Sequence, residues 1–223
     1  LVALVVAYAA ITREQESGSL KLLLSLPHSR QDVVVGKAIG RASVVSLPIV
    51  VGFVASSVVL LIYGVGLQPL HFLTLVVLTV LLGLTFVSIS VGISALSPST
   101  AVAGGISVVL YFFFTLFWGV VRRSLLVLNN QFSLDLSAME LMQYGLFLKY
   151  LNPVRAYQTL VASLYTDTTL AARLYQTNSL QQQTITQQLS EVPFYLTDAV
   201  VFSQLMFWVL IPVAVGYWRF EHK

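Results

Sequence analysis

HFLTLVVLTVLLGLTFVSISVGISA, residues 71–95, runs for 25 positions without an Asp, Glu, Lys or Arg. At about 1.5 Å rise per residue, a helix of that length more than covers the about 30 Å hydrocarbon core of a bilayer. Three further runs qualify on either side of it: SVVSLPIVVGFVASSVVLLIY (43–63), AVAGGISVVLYFFFTLFWGVV (101–121) and TDAVVFSQLMFWVLIPVAVGYW (197–218). The rest of the composition agrees. The chain has 223 residues, 57% of them hydrophobic and only 9% charged, with a mean hydropathy of +0.85, whereas soluble domains carry about 25% charged residues. The fold class is therefore all-α and integral to a membrane, a polytopic helical bundle in a single transmembrane domain over 1–223.

LVALVVAYAAI (1–11) is as apolar as the four runs but half as long. It has no basic flank and no small-residue cleavage site, so it does not read as a signal peptide. We expect it to be the cytoplasmic half of a partial span, the rest of which lies upstream in the intact protein.

Charge placement sets the expected orientation. Lys and Arg in short loops stay cytoplasmic, while loops beyond about 60 residues escape that bias. Arg13, Lys21, Arg30, Lys37 and Arg41 crowd residues 12–42, and Arg219 and Lys223 follow the last run. Threading the spans puts 12–42, the SPST turn (97–100) and a cytoplasmic C-terminus inside, with 64–70 and the long 122–196 segment outside. Twelve basic residues scattered in this way do not make a nucleic-acid surface.

The external segment breaks into pieces. FSLDLSAMELMQYGLFLKY (132–150) reads as an amphipathic interfacial helix with capping-box spacing between Ser137 and Glu140. Asn152-Pro153 stops it, 154–165 forms another short helix, and 176–190 is Gln-rich. Two readings stay open for this region, a solvated connector and a docking surface or lid.

The cytoplasmic segment TREQESGSLKLLLSLPHSR (12–30) is denser in signals. Thr12 with Gln15 has capping-box spacing, and Glu14 and Glu16 suit the positive end of a following turn. Gly18-Ser19 interrupts the helix; Leu20, Leu23 and Leu24 give a short amphipathic piece ended by Pro27. Ser29 with Asp32 then caps a helix that runs into the span at 43.

This pattern resembles the cytoplasmic signature of ABC-2 type transporter permeases. The matching residues are Glu14, Glu16, Gly18, Ser19, Leu20, Leu23, Leu24, Leu26, Pro27, Ser29, Arg30, Gly36 and Lys37. Asn152-Pro153 before the last span and YWRFEHK (217–223) after it fit as well. The resemblance implies six spans, pairing with a second permease copy or paralogue, and a cytoplasmic ABC ATPase subunit docked on a coupling helix at about Leu20 to Pro27. The residues implied in ATPase coupling are Glu14, Glu16, Gly18, Leu20, Leu23, Leu24, Leu26, Pro27, Ser29 and Arg30. ATP and Mg would be bound by that ATPase, leaving this chain with no cofactor of its own. The long external segment is similar to that of nitrous-oxide-reductase maturation permeases of the NosY type.

Other chemistries find less support. Gly36-Lys37 invites comparison with a phosphate-binding loop, but that loop needs Gly at 31 and Ser or Thr at 38, where the chain has Gln31 and Ala38. There is no Cys. The three His (His28, His71, His222) are scattered and only Met139 and Met142 pair at i,i+3, so no soft-ligand copper path or metal site emerges. No nucleophile elbow, catalytic carboxylate pair or zinc signature is present, and no catalytic residue is expected. Of the ionisable residues only Asp198 approaches a span, at its outer edge, which argues against ion coupling and for an external energy source. Ser88-x-x-x-Gly92 and Ala101-x-x-Gly104-Gly105 mark close helix packing. Tyr111, Phe112, Phe113, Phe114, Phe117 and Trp118 suit core, lipid or substrate contact. Two functions remain in play: the permease of an ATP-driven exporter, and a membrane scaffold or maturation-system subunit holding an external protein on 122–196.

Overall fold

The computed structural model describes residues 1–18, 30–166, 168–174 and 193–221. In chain order the elements are α1 (Val2–Ala7), α2 (Thr12–Ser17), α3 (Arg30–Ile62), α4 (Pro69–Leu96), α5 (Thr100–Phe112), a π turn (Phe113–Phe117) and α6 (Trp118–Phe132). They continue as α7 (Ala138–Tyr150), α8 (Pro153–Ser163), α9 (Thr169–Leu174), a 3-10 turn (Phe194–Leu196) and α10 (Asp198–Glu221). No strand occurs among the described residues.

Among the described residues four helices are long and apolar enough to cross a membrane: Val35–Ile62, Pro69–Leu96, Thr100–Phe132 and Asp198–Arg219. Their ends follow from local chemistry. Pro69 opens α4 at a position where its missing N–H costs nothing. Ser97, extended at ψ 146°, closes α4 ahead of Pro98, as the residue before a proline must. The third helix outlasts its apolar run. We expected it to leave the bilayer at 121 and hand over to the external segment, but it remains helical through Arg122 and Arg123 to Phe132. Nothing in RRSLLVLNNQ breaks a helix, and the chain turns only at Ser133, in the left-handed region at φ 46°. At about 1.5 Å per residue, such a helix is about 50 Å long and outreaches the about 30 Å core.

The fold divides into two compact units, Leu1–Phe112 with Met206–Lys223, and Phe113–Leu205. In the first, α4 is the pivot. Thr85 through Ala95 are all buried, and the small residues among them let neighbouring backbones approach. A Cβ built on Gly92 would collide with the Pro212 carbonyl of α10, and one on Gly216 would lie 2.9 Å from the Gly92 Cα. Four residues from Gly92, the Ser88 hydroxyl donates to the Val209 carbonyl at 2.5 Å. Pro212 also removes an N–H from the ladder of α10. The small-residue spacing at 88–92 thus serves packing within the bundle. Gly83 does the same toward α3, where a Cβ would meet Val45 and Ile49 at 3.0 and 3.4 Å.

Helix α3 buries none of its most apolar window. Val44, Leu47, Val51, Val54, Val58 and Leu61 stay exposed along it, the surface of a helix whose solvent is lipid. In the second unit the aromatic run folds on itself. Phe113 meets Trp118 edge-on and Phe114 meets it tilted, with ring centroids 5.4 and 5.5 Å apart, and Trp118 Nε1 donates to the Leu148 carbonyl of α7 at 3.0 Å. Phe114 is buried, whereas Phe117 is exposed.

Candidate coupling site

Helix α2 holds the acidic pair singled out in the sequence. Its entry is fixed from α4: the Ser94 hydroxyl accepts the N–H groups of Ile11 and Thr12 at 2.9 and 3.1 Å. The Thr12 hydroxyl lies 3.3 Å from both Ser94 Oγ and Thr100 Oγ1. These N–H donors at the helix entry are therefore satisfied by a neighbouring helix. Thr12 is fully buried.

Glu14 and Glu16 point to different partners. Glu14 Oε1 pairs with Lys37 Nζ, near the start of α3. Its other oxygen is buried with no hydrogen-bond partner among the described residues. Glu16 reaches α5: Oε1 accepts the Thr100 backbone N–H and Oε2 the Thr100 hydroxyl, each at 2.7 Å. A carboxylate on the first N–H of a helix meets the positive end of its dipole. These two bonds, the hydroxyl first and the backbone second, hold the Glu16 carboxyl below its ordinary 4.5. The acids do stand at a helix N-terminus, as their chemistry suggested, but the helix begins 84 residues away.

Gly18 ends α2 at φ +73°, a left-handed backbone that favours glycine. Leu20, Leu23, Leu24, Leu26, Pro27 and Ser29 lie outside the described residues. Arg30 is the first residue of α3, with Asp32 in its first turn. Of the sequence-derived set, the structure therefore brings Glu14 and Glu16 onto α3 and α5 and places Gly18 and Arg30 at the two ends of the segment between them. It adds Ser94 and Thr100, which the sequence had marked only as part of a span and a turn. One signal for Thr100 was available: Ser97-Pro98-Ser99 before an apolar run is a helix start, and Ser99 Oγ accepts the Val102 N–H at 3.3 Å.

A second polar cluster lies in the Phe113–Leu205 unit. The side chain of Arg173, on α9, is fully buried. Its Nε donates to the Leu196 carbonyl at 2.5 Å, NH1 to Thr159 Oγ1 at 2.9 Å, and NH2 to Asp198 Oδ1 at 2.6 Å. The guanidinium also lies 5.7 Å from the centre of the Tyr150 ring, and the Tyr150 hydroxyl donates to the Arg173 carbonyl. Burial pushes the Tyr150 hydroxyl up to about 12, against smaller opposing effects from Thr159, Arg173 and Arg155. Nearby, Asn152 caps α8, accepting the Val154 and Arg155 N–H groups at 2.8 and 3.3 Å. Its amide nitrogen donates to the Phe114 carbonyl in the π turn at 2.6 Å. The expected capping box of α7 is present, with Ser137 and Glu140 exchanging bonds at 3.2 and 2.9 Å.

The sequence profile of the ABC-2 family transporter proteins matches residues 1–223. The chain is 34% identical over 134 residues to the probable ABC transporter permease protein NosY of Stutzerimonas stutzeri. It is 29% identical over 134 residues to the protein of the same name from Pseudomonas aeruginosa. Each match takes in 58% of this chain and 49% of the relative, so the chain spans about half the length of the curated relatives it matches. With four membrane-length helices and a family match end to end, this multi-pass membrane protein belongs to the ABC-2 family of transporter proteins.

Proposed function

We propose that the chain is the permease subunit of an ATP-driven ABC-2 exporter, paired with a second permease copy and driven by a separate cytoplasmic ATPase. The ATPase docks on the segment from Gly18 to Arg30, binds the ATP and Mg, and on closing pushes that segment so that the bundle alternates its access. The C-terminus lies on the same side, with Arg219 in the last turn of α10 in keeping with the positive-inside bias. One observation carries this reading. The segment is strung between two helices, α2 and α3, that are themselves joined by the Glu14–Lys37 pair, so a push on it acts on an anchored lever. The test is co-expression of the full-length protein with the ATPase encoded beside it. A complex that hydrolyses ATP in lipid vesicles, and that Leu23→Asp with Leu24→Asp abolishes without loss of the membrane subunit, is the expected result. Absence of any complex with the native chain removes the reading.

A second reading, a scaffold that holds an external protein on 122–196, draws on one specific feature. Phe132, Tyr144, Tyr165 and Phe194 expose 67, 44, 66 and 79% of their surface in that unit, and large aromatic side chains left exposed suit an interface. It gains if Tyr165→Ser with Phe194→Ser, in a complex that still hydrolyses ATP, loses an external protein that co-purifies with the native chain. It fails if no external protein co-purifies with the native chain.

A further inference from the structure

We propose that Glu16 and Thr100 are positioning residues that make α5 follow the movement of α2, so that the 18–30 segment also drives a membrane helix that does not adjoin it in the chain. The inference rests on the coupling reading above and adds to it the route by which the push spreads.

Covalently, the segment runs forward into α3 and back into α2. Helix α2 has only six residues, too short to transmit force unless it is gripped from the side. It is gripped at three places, each by a different helix: Thr12 on Ser94 of α4, Glu14 on Lys37 of α3, and Glu16 on Thr100 of α5. The Thr12 grip is buried and sits where α2 begins, so it serves as a fulcrum. The Glu16 grip is at the other end of α2, beside the 18–30 segment, and takes hold of the first residue of α5. Both oxygens of one carboxylate are used on one residue, at 2.7 Å each, which fixes direction as well as distance. Between α4 and α5 the chain makes only the short Ser97–Ser99 turn, a natural hinge about which α5 can swing when its first residue is moved.

The experiment uses the assembled complex of the full-length protein and its ATPase in lipid nanodiscs. Residues 1–223 contain no cysteine, so spin labels go where cysteines are placed, any outside these residues being replaced. Val109→Cys with Val77→Cys reports α5 against α4, and Val51→Cys with Val77→Cys reports α3 against α4; all three positions are exposed. Mg-ATP with vanadate is expected to shift both distances in the native complex. In Glu16→Gln or Thr100→Val, the shifted fraction at the α5 pair should fall about fivefold or more. The α3 pair should still respond in both variants, complex yield and ATP hydrolysis should be retained in Thr100→Val, and Thr100→Ser, which keeps both donors, should restore the α5 response. An α5 response that survives both variants overturns the inference. So does equal loss at both pairs, which would mark the residues as merely holding α2 folded. If the native complex forms but neither pair responds, the coupling reading itself falls and takes the inference with it.

Discussion

The two polar clusters, one in each unit, are built on opposite plans. Around α2 the Glu16 carboxylate is exposed, while Glu14 and Lys37 form a pair that keeps 24% of its side-chain surface, with one Glu14 oxygen buried. At Arg173 the charge is wholly buried, and Nε, NH1 and NH2 each meet an oxygen, only one of which, on Asp198, is itself charged. A buried guanidinium is tolerated when its donors are met in a fixed geometry, and losing that geometry strands a charge away from water. An exposed carboxylate that lets go is simply rehydrated. The Glu16 contact can therefore open and re-form at little cost, whereas the Arg173 cluster cannot.

The sharpest way to break the contrast is at Arg173. Arg173→Ala takes the donor from the buried Leu196 carbonyl and one from Thr159, leaves Asp198 with only the Ser163 hydroxyl, and opens a cavity; we expect it to destabilise the Phe113–Leu205 unit by about 2–4 kcal/mol, read as early unfolding by proteolysis or thermal melting in detergent. Arg173→Lys should recover little, because one ammonium cannot reproduce the planar fork. If Arg173→Ala melts like the native chain, the cluster is not the lock it is taken for.

A second test asks whether the first unit is loose throughout or only at α2. Gly92→Ala drives a methyl group into the Pro212 carbonyl. Backbone atoms cannot step aside as a flexible side chain can, so we expect a loss of about 1–3 kcal/mol, measured by thermal unfolding of the purified protein. A neutral result would mean that α4 and α10 slide past each other at that seam.

Tyr150 sharpens the description of the second cluster. Its hydroxyl is raised to about 12 by burial, above the ordinary 10 of the unfolded chain. A group whose folded value is raised contributes fully below the unfolded value, and that contribution is lost as pH climbs from 10 toward 12. The unit should therefore lose stability across that alkaline window, and Tyr150→Phe should remove this part of the pH dependence. At neutral pH the same variant should cost about 1–2 kcal/mol, since the Arg173 carbonyl loses its donor.

What the sequence made legible divides by range. Four spans could be read because a run of about 20 apolar residues is a local fact. The Ser137–Glu140 box could be read because its partners are three residues apart, and Asn152-Pro153 was legible as a break for the same reason. That the Asn152 amide also grips the π turn was not, because Phe114 lies 38 residues earlier. Arg173 counted only as one basic residue in a long loop, since nothing near it marks a partner 25 positions on. Glu14 and Glu16 were noticed but referred to the turn that follows them, where the bundle instead offers Lys37 and Thr100. The end of the third helix was missed for a different reason. Arg122 and Arg123 mark a departure from lipid, but a helix can leave lipid without ending, and only Ser133 turns the chain.

The smallest expected effect bears most directly on the contrast. Glu16 has its carboxyl held below 4.5 by the Thr100 hydroxyl and N–H. A depressed folded value means that the grip is complete above the ordinary carboxylate value and is lost as pH falls through the lower, folded one. Because the side chain is exposed, protonation strands nothing, and overall stability should hardly move. What should change is local: amide hydrogen exchange at Thr100 should rise once pH drops well below 4.5, after correction for the intrinsic pH dependence of exchange. Glu16→Gln should show that faster exchange already at neutral pH, while protection around Ser94 and throughout the Arg173 cluster stays as it was. If exchange near Arg173 rises in step with that at Thr100, the two clusters open together and the division into a releasable grip and a permanent lock is wrong. If Thr100 alone responds, the grip on α5 opens on its own, which is what a contact meant to pass movement along must be able to do.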